Sequence, residues 1–212
     1  MLISSYNLAH MGDTLIVMLA PDTSSQQANE QKGDIVRIFN AETNETLGYN
    51  FFEISQSLKL TAVGPVVLTE EEVSILNNKL SLSGFDAELV ADLDPKFVIG
   101  YVATVTPHPD SDHLQITQTQ VGNGQTLQIV SGSPNMKAGI KVVVAKVGAV
   151  MPSGLIIWPG ELRGVASNGM IVSGRELKLP NAPEVPGALI LPDDFQQVGE
   201  ALDFVQAQKL FK

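Results

Sequence analysis

Leu114-Gln-Ile-Thr-Gln-Thr-Gln-Val-Gly-Asn-Gly-Gln-Thr-Leu-Gln-Ile-Val130 is the stretch on which the fold turns. Gly122-Asn-Gly124 is a strong hairpin signal, because tight hairpin turns need positive φ and Asn and Gly accept it at least cost. The flanking segments 114–121 and 125–130 are then paired strands. Leu114 and Ile116 share one parity while Val121 falls on the other, which predicts a bulge in the first strand. The hairpin also carries Gln115, Thr117, Gln118, Thr119, Gln120, Gln125, Thr126 and Gln128. They form an uncharged set of donors and acceptors, which reads either as a binding face or as a solvent-facing polar sheet.

Outward from the hairpin, the pattern stays that of short strands. Residues 97–105 are β-rich and stop at Thr106-Pro-His-Pro109; 140–147 reads as a buried strand, with further strands at 155–158, 169–173 and 187–191. Close spacing with Gly and Pro turns indicates a small β-barrel or sandwich. Residues 203–212 read as a terminal helix or a tail. The first third is mixed. Residues 14–20 are a continuous apolar run suited to burial on both faces, and 34–39 and 47–54 flank the turn-rich 40–46 as a hairpin. A helix follows: Thr69 and Glu72 make a capping box, Glu70, Glu71 and Glu72 fill the first turn, and Val73, Leu76 and Leu80 form the apolar stripe before Gly84. Residues 86–95, with four acids and a proline, read as a linker.

Charge divides at the same place. The chain has a formal net charge of −10, which taken whole disfavours nucleic acid. All of that excess lies in residues 1–94 (14 acidic, 4 basic), whereas 95–180 hold 4 acidic and 7 basic side chains. Two domains with different tasks follow: an acidic α+β domain at 1–92 and an all-β domain at 93–200, with 201–212 as a C-terminal tail. There are no cysteines, which removes disulfides and thiolate metal sites and suits a cytoplasmic protein. The apolar run near the start is too short for a signal peptide or a membrane span, so no membrane association is expected.

Three ordered segments in the second half carry a resemblance: Val105-Thr-Pro-His-Pro-Asp-Ser-Asp-His-Leu114, Leu127-Gln-Ile-Val-Ser-Gly-Ser-Pro-Asn-Met-Lys-Ala-Gly139 and Leu162-Arg-Gly-Val-Ala-Ser-Asn-Gly-Met-Ile-Val-Ser173. Together they resemble the tRNA-binding OB-fold domain of bacterial phenylalanyl-tRNA synthetase β chains, methionyl synthetase appendages and EMAP-type proteins. The chain as a whole resembles the YtpR family of stand-alone bacterial tRNA-binding proteins. The resemblance implies an OB-fold barrel, tRNA as partner, no cofactor and no catalysis. A homodimer, which some relatives form, is among the partners it admits. It further implies that the turn at His108 closes the barrel, with Asp112 fixing backbone and Leu114 entering the core. His113 stands where relatives usually carry Lys, which removes one cation.

Ser131, Ser133, Asn135 and Lys137 lie in a loop of small residues where backbone can approach a ligand closely. Arg163 offers a planar fork for phosphate or a base, and Ser167, Met170 and Ser173 follow it. These eight are the tRNA-binding candidates. Each has a structural alternative: Arg163 tying down its loop through carbonyls, Met170 in the core, the loop a plain turn. Of the aromatics only Trp158 is a serious stacking platform, and its simpler role is surface packing. The cluster His108, Asp110, Asp112, His113 lacks the spacing of a zinc site, and Ser167 and Ser173 lack a partner base for nucleophilic work. The competing reading is a protein-interaction module that keeps the OB fold for another use.

Overall fold

The computed structural model describes residues 1–21 and 26–211. The chain divides into two compact units, Met1–Asp94 and Pro95–Lys212. Among the described residues no helix is long and apolar enough to cross a membrane.

The first unit is a six-stranded sheet with one substantial helix. Its strands are β1 (Ile3–Tyr6), β2 (Thr14–Met18), β3 (Gln27–Lys32), β4 (Ile35–Asn40), β5 (Thr46–Phe52) and β6 (Gly64–Val66), in the order β3-β4-β5-β2-β1-β6. The short α1 (Leu8–Met11) joins β1 to β2, and α2 (Glu70–Leu82) supplies the second layer. The expected hairpin is the antiparallel β4–β5 pair. The apolar run in β2 is not buried on both faces: Leu15 and Val17 enter the core, while Thr14, Ile16 and Met18 stay half-exposed. Only one layer covers this sheet, so the alternation of a half-buried strand prevails over composition.

α2 starts where its first turn predicts. Thr69 Oγ1 accepts from the Glu72 backbone N–H, and the Glu72 carboxylate accepts from the Thr69 N–H, closing the capping box. Val73, Leu76 and Leu80 pack with Leu15, Ile35, Tyr49 and Phe51. The stretch expected as a linker is tied to this unit. Phe85 and Leu89 are buried in its core, and the Asn77 amide brackets the Leu89 backbone, donating to its carbonyl at 2.8 Å and accepting from its N–H at 3.0 Å. Tyr49 donates a short hydrogen bond to Glu88, and burial together with that carboxylate pushes its hydroxyl pKa well up. The acids misled because a single buried side chain between them, Leu89, with the bond from Asn77, is enough to hold the stretch down.

The second unit is a barrel. Its strands are β7 (Phe97–Pro107), β8 (Gln115–Gln120), β9 (Thr126–Ser131), β10 (Lys141–Ala145), β11 (Gly160–Leu162), β12 (Val165–Ser167), β13 (Met170–Ile171) and β14 (Ile190–Leu191), followed by α3 (Phe204–Ala207). The main sheet runs β13-β10-β7-β8-β9, with β14 also on β10 and β11–β12 as a separate two-stranded hairpin. The β9 edge meets the segment after β12: Asn168 N–H donates to Gln128 O at 2.9 Å and Val130 N–H to Ser167 Oγ at 3.1 Å. That brings the first and last sheet edges together as a five-stranded, partly open OB barrel requires.

β8 and β9 pair antiparallel without interruption, so the predicted bulge is not in β8. The register shift lies instead between Val102 and Thr104 of β7, where β7 meets β8. The inward parity of β8 is the odd one. Thr117, Thr119 and Val121 are buried, whereas Leu114 and Ile116 are only partly so. Thr117 Oγ1 donates to Ile129 O at 3.0 Å and accepts from Thr119 Oγ1 at 3.0 Å, so the two hydroxyls serve each other inside the barrel. Of the polar set on this hairpin these two are therefore core residues.

The segment expected as a tail is also part of this unit. Gly199 N–H donates to Ile99 O, Ile99 N–H to Glu200 O and Leu202 N–H to Phe97 O, and Leu202 and Ala207 are buried. α3 is a single turn capped by Asp203, whose carboxylate accepts from Val205 and Gln206 N–H; the Gln206 bond chiefly holds its pKa below the usual range. Lys212 lies outside the described residues.

Candidate nucleic-acid interface

An open groove of about 480 Å³ lies on the second unit between the loop after β9, the 156–162 arm and the 167–176 segment. Ser131, Ser133, Ser167, Met170 and Ser173 all line it, as do Trp158, Glu161, Arg175 and Glu176. Asn135, Lys137 and Arg163 do not. Five residues drawn from two distant segments thus converge on one depression. The first segment is positioned by β9, whose last residue is Ser131, and the second by the β11–β12 hairpin and β13.

Several candidates hold the site in shape. Ser167 is buried; its hydroxyl accepts from Val130 N–H and donates to Gly169 O at 3.3 Å, joining the two walls. Ser131 Oγ accepts from Ser133 N–H at 3.3 Å, which folds the loop back on itself. Asn135 has a different task from the one its amide suggested. It donates to Ala188 O at 2.9 Å and accepts from Ala188 N–H at 2.8 Å, so both ends of the side chain hold backbone. Met170 is half-buried against the core and also lines the groove. Lys137 is exposed.

Arg163 sits at the tip of the β11–β12 hairpin. Leu162 pairs with Val165, and Arg163 and Gly164 between them take φ of 48° and 78°, the signature of a type I′ turn. The sequence reading missed this hairpin because a non-glycine at positive φ is uncommon. Arg163 Nη1 donates to Asp110 O at 2.6 Å, the structural alternative entertained for it, while the guanidinium stays exposed and keeps further donors. Other cations of the basic segment also hold loops: Lys141 binds the carbonyls of Asp193 and Gln196, and Lys178 that of Pro152.

The same hairpin is clamped by His108, which is 3% exposed. Its Nδ1 accepts from Asp110 N–H at 3.0 Å, so Nε2 carries the proton and donates to Leu162 O at 3.0 Å. Both ring nitrogens are engaged by backbone. Among the described residues no group of three or more His, Asp or Glu is placed to hold a metal ion. The resemblance assigned Asp112 the fixing of this turn. Its side chain is instead in solvent, bonded to His113 Nδ1 at 2.8 Å, and that bond chiefly holds its pKa below the usual range. The Ser111 hydroxyl, accepting from Leu114 N–H at 3.2 Å, and the His108 ring do the fixing.

Ser173 and Glu176 exchange the reciprocal bonds of a capping box, here across a turn rather than at a helix start. Glu176 accepts from the Ser173 N–H and hydroxyl, both at 2.7 Å, and Ser173 Oγ accepts from Glu176 N–H at 3.1 Å. Ser-x-x-Glu was visible in Ser173-Gly-Arg-Glu176, the same signal that marked Thr69. The turn contributes Ser173, Arg175 and Glu176 to the groove lining. Ser173→Ala removes the hydroxyl's bonds with Glu176 and is expected to lower stability by about 1–2 kcal/mol, seen as an earlier midpoint in urea.

Residues 97–200 match the family described as "Putative tRNA binding domain", and residues 22–92 match a "Domain of unknown function (DUF4479)". The chain is similar to phenylalanine–tRNA ligase β subunits, at 38% identity over 145 residues in Acinetobacter baylyi and 44% over 140 residues in Ralstonia nicotianae. Those alignments cover 67% and 62% of this chain but only 18% and 17% of the subunits, so it spans less than a fifth of their length. It is 50% identical over 199 residues to the Bacillus subtilis protein named "Putative tRNA-binding protein YtpR", an alignment covering 94% of this chain and 98% of that protein. Identity at half of the aligned positions, along nearly the whole of both chains, means that this chain belongs to the YtpR family.

Proposed function

We propose that this protein binds tRNA without catalysis, in the cytoplasm, through the OB barrel of its second unit. The observation that carries the reading is the convergence of Ser131, Ser133, Ser167, Met170 and Ser173 on one groove, within the residues that match the tRNA-binding domain. OB folds bind oligonucleotides across one barrel face and its rim loops. Arg163 and Lys137, exposed beside the segments that form the groove, meet sugar-phosphate, while the walls set orientation. Ser167 favours a binding site over a catalytic one, because its hydroxyl donates to the Gly169 carbonyl rather than to a base.

With a few phosphate contacts and so small a positive excess, affinity falls in the range of ~10⁻⁴–10⁻⁶ M typical of electrostatic binding at physiological salt. The test is fluorescence anisotropy of labelled tRNA with the full chain at several salt concentrations. Affinity is expected to fall steeply as salt rises, and Arg163→Ala to lower it for every tRNA alike, reducing the salt slope by about 1. No binding at low salt, or binding indifferent to salt, would overturn the reading in favour of a protein-interaction module. A homodimer presents two such grooves, and the stoichiometry at saturation measures whether both serve one tRNA.

A further inference from the structure

The charges lining the groove decide what it can hold. Glu161 and Glu176 line it together with a single guanidinium, that of Arg175. A track of phosphates needs the opposite balance, so the groove itself is not where the RNA backbone runs. Its walls are largely apolar, with Ile156, Ile157, Trp158 and Met170 among them. A volume of about 480 Å³ lies within the ~300–1,000 Å³ of sites that take small organic groups. Trp158 is half-buried there, and it is the only tryptophan in the chain. An aromatic side chain on an apolar wall, with the exposed carboxylate of Glu161 as an acceptor in the same lining, matches a nucleobase: a flat π-face to stack and exocyclic amino groups to donate.

We infer that the groove takes one unpaired nucleobase, stacked on the indole of Trp158, with Arg175 meeting the adjoining phosphate at the edge. The inference rests on the RNA-binding reading above and narrows it: a single-stranded element of the RNA enters the groove. Bases inside a duplex are already stacked and paired, and reach such a site only by being flipped out.

Trp158 is its own reporter. The full chain is titrated with a single-stranded RNA octamer, with the blunt duplex that octamer forms with its complement, and with tRNA, following tryptophan emission and the anisotropy of the labelled RNA together. The octamer and tRNA are expected to quench the emission saturably and the duplex to leave it unchanged. W158A is expected to lose about 5- to 150-fold in octamer affinity, and W158F to keep most of it. If tRNA and octamer bind while emission does not move, or W158A binds the octamer as the parent does, the base site is wrong and the tRNA reading stands. If the octamer quenches and tRNA does not bind, the base site stands and the tRNA reading falls. Binding of neither at low salt removes both.

Discussion

Gly199→Ala is expected to destabilise the protein by about 2–5 kcal/mol. Gly199 and Gly122 lie back to back with φ of 92° and 86°, and a Cβ added to either would fall 2.5 Å from the other's Cα. The obstacle is backbone, so no side chain can rotate away. Placing an L-residue in the left-handed region costs about 1–2 kcal/mol, and forcing packed segments apart adds about 1–3. Neither segment yields easily. Residues 199–202 are held on β7 by the Gly199, Ile99 and Leu202 hydrogen bonds, and Val121 and Gln125 bond across the turn that contains Gly122. Gly124→Ala is the control, since Gly124 has φ of 72° with nothing within 4 Å of its Cβ position. It bears the conformational cost alone. Urea midpoints for the two variants separate strain from collision, and a Gly199→Ala loss no greater than that of Gly124→Ala would exclude the collision. Because Gly122→Ala meets the same contact, the double variant should cost less than the sum of the singles.

His108→Leu is expected to cost about 2–4 kcal/mol. The substitution keeps apolar volume but leaves the Asp110 N–H and the Leu162 carbonyl without their partner in a partly buried place. Each orphaned group costs about 1–3 kcal/mol, partly relieved where water reaches it. The same two points are joined a second time by Arg163 Nη1 to Asp110 O. Loss of the ring therefore loosens the hairpin that carries Arg163, and thermal unfolding should show the destabilisation while Asp112→Ala, whose carboxylate stands in solvent, shows none. Equal behaviour of the two variants would place the clamp elsewhere.

The sequence made the fold legible where backbone chemistry is local. The Asn-Gly turn, the Thr69–Glu72 box and the strands on either side of 40–46 each follow from a few adjacent residues. It was less legible where partners are distant. Asn135 looks like a ligand group until Ala188, 53 positions on, is seen to take both ends of its amide. Residues 86–94 look like a linker because their acids are visible and the burial of Leu89 is not. Five of the eight candidate residues surround one groove, a convergence that their spacing in sequence does not reveal. Hydroxyls and amides in small-residue loops bind backbone as readily as a ligand, and spacing alone does not distinguish the two.

The buried threonines of β8 bear on how the chain avoids folding wrongly. By apolar content the opposite parity is the better candidate for the interior, because it offers Leu114 and Ile116. A slip of one position would bring them inward, together with Gln118 and Gln120. A glutamine amide has two donors and an acceptor to place, and burying it unpaired costs several kcal/mol, on the order of 2–7. A threonine has one donor, which Ile129 O and the neighbouring hydroxyl accommodate. The hairpin thus carries a proofreading device: its mistaken pairing is the greasier one, and is rejected for the polar groups it would leave unanswered.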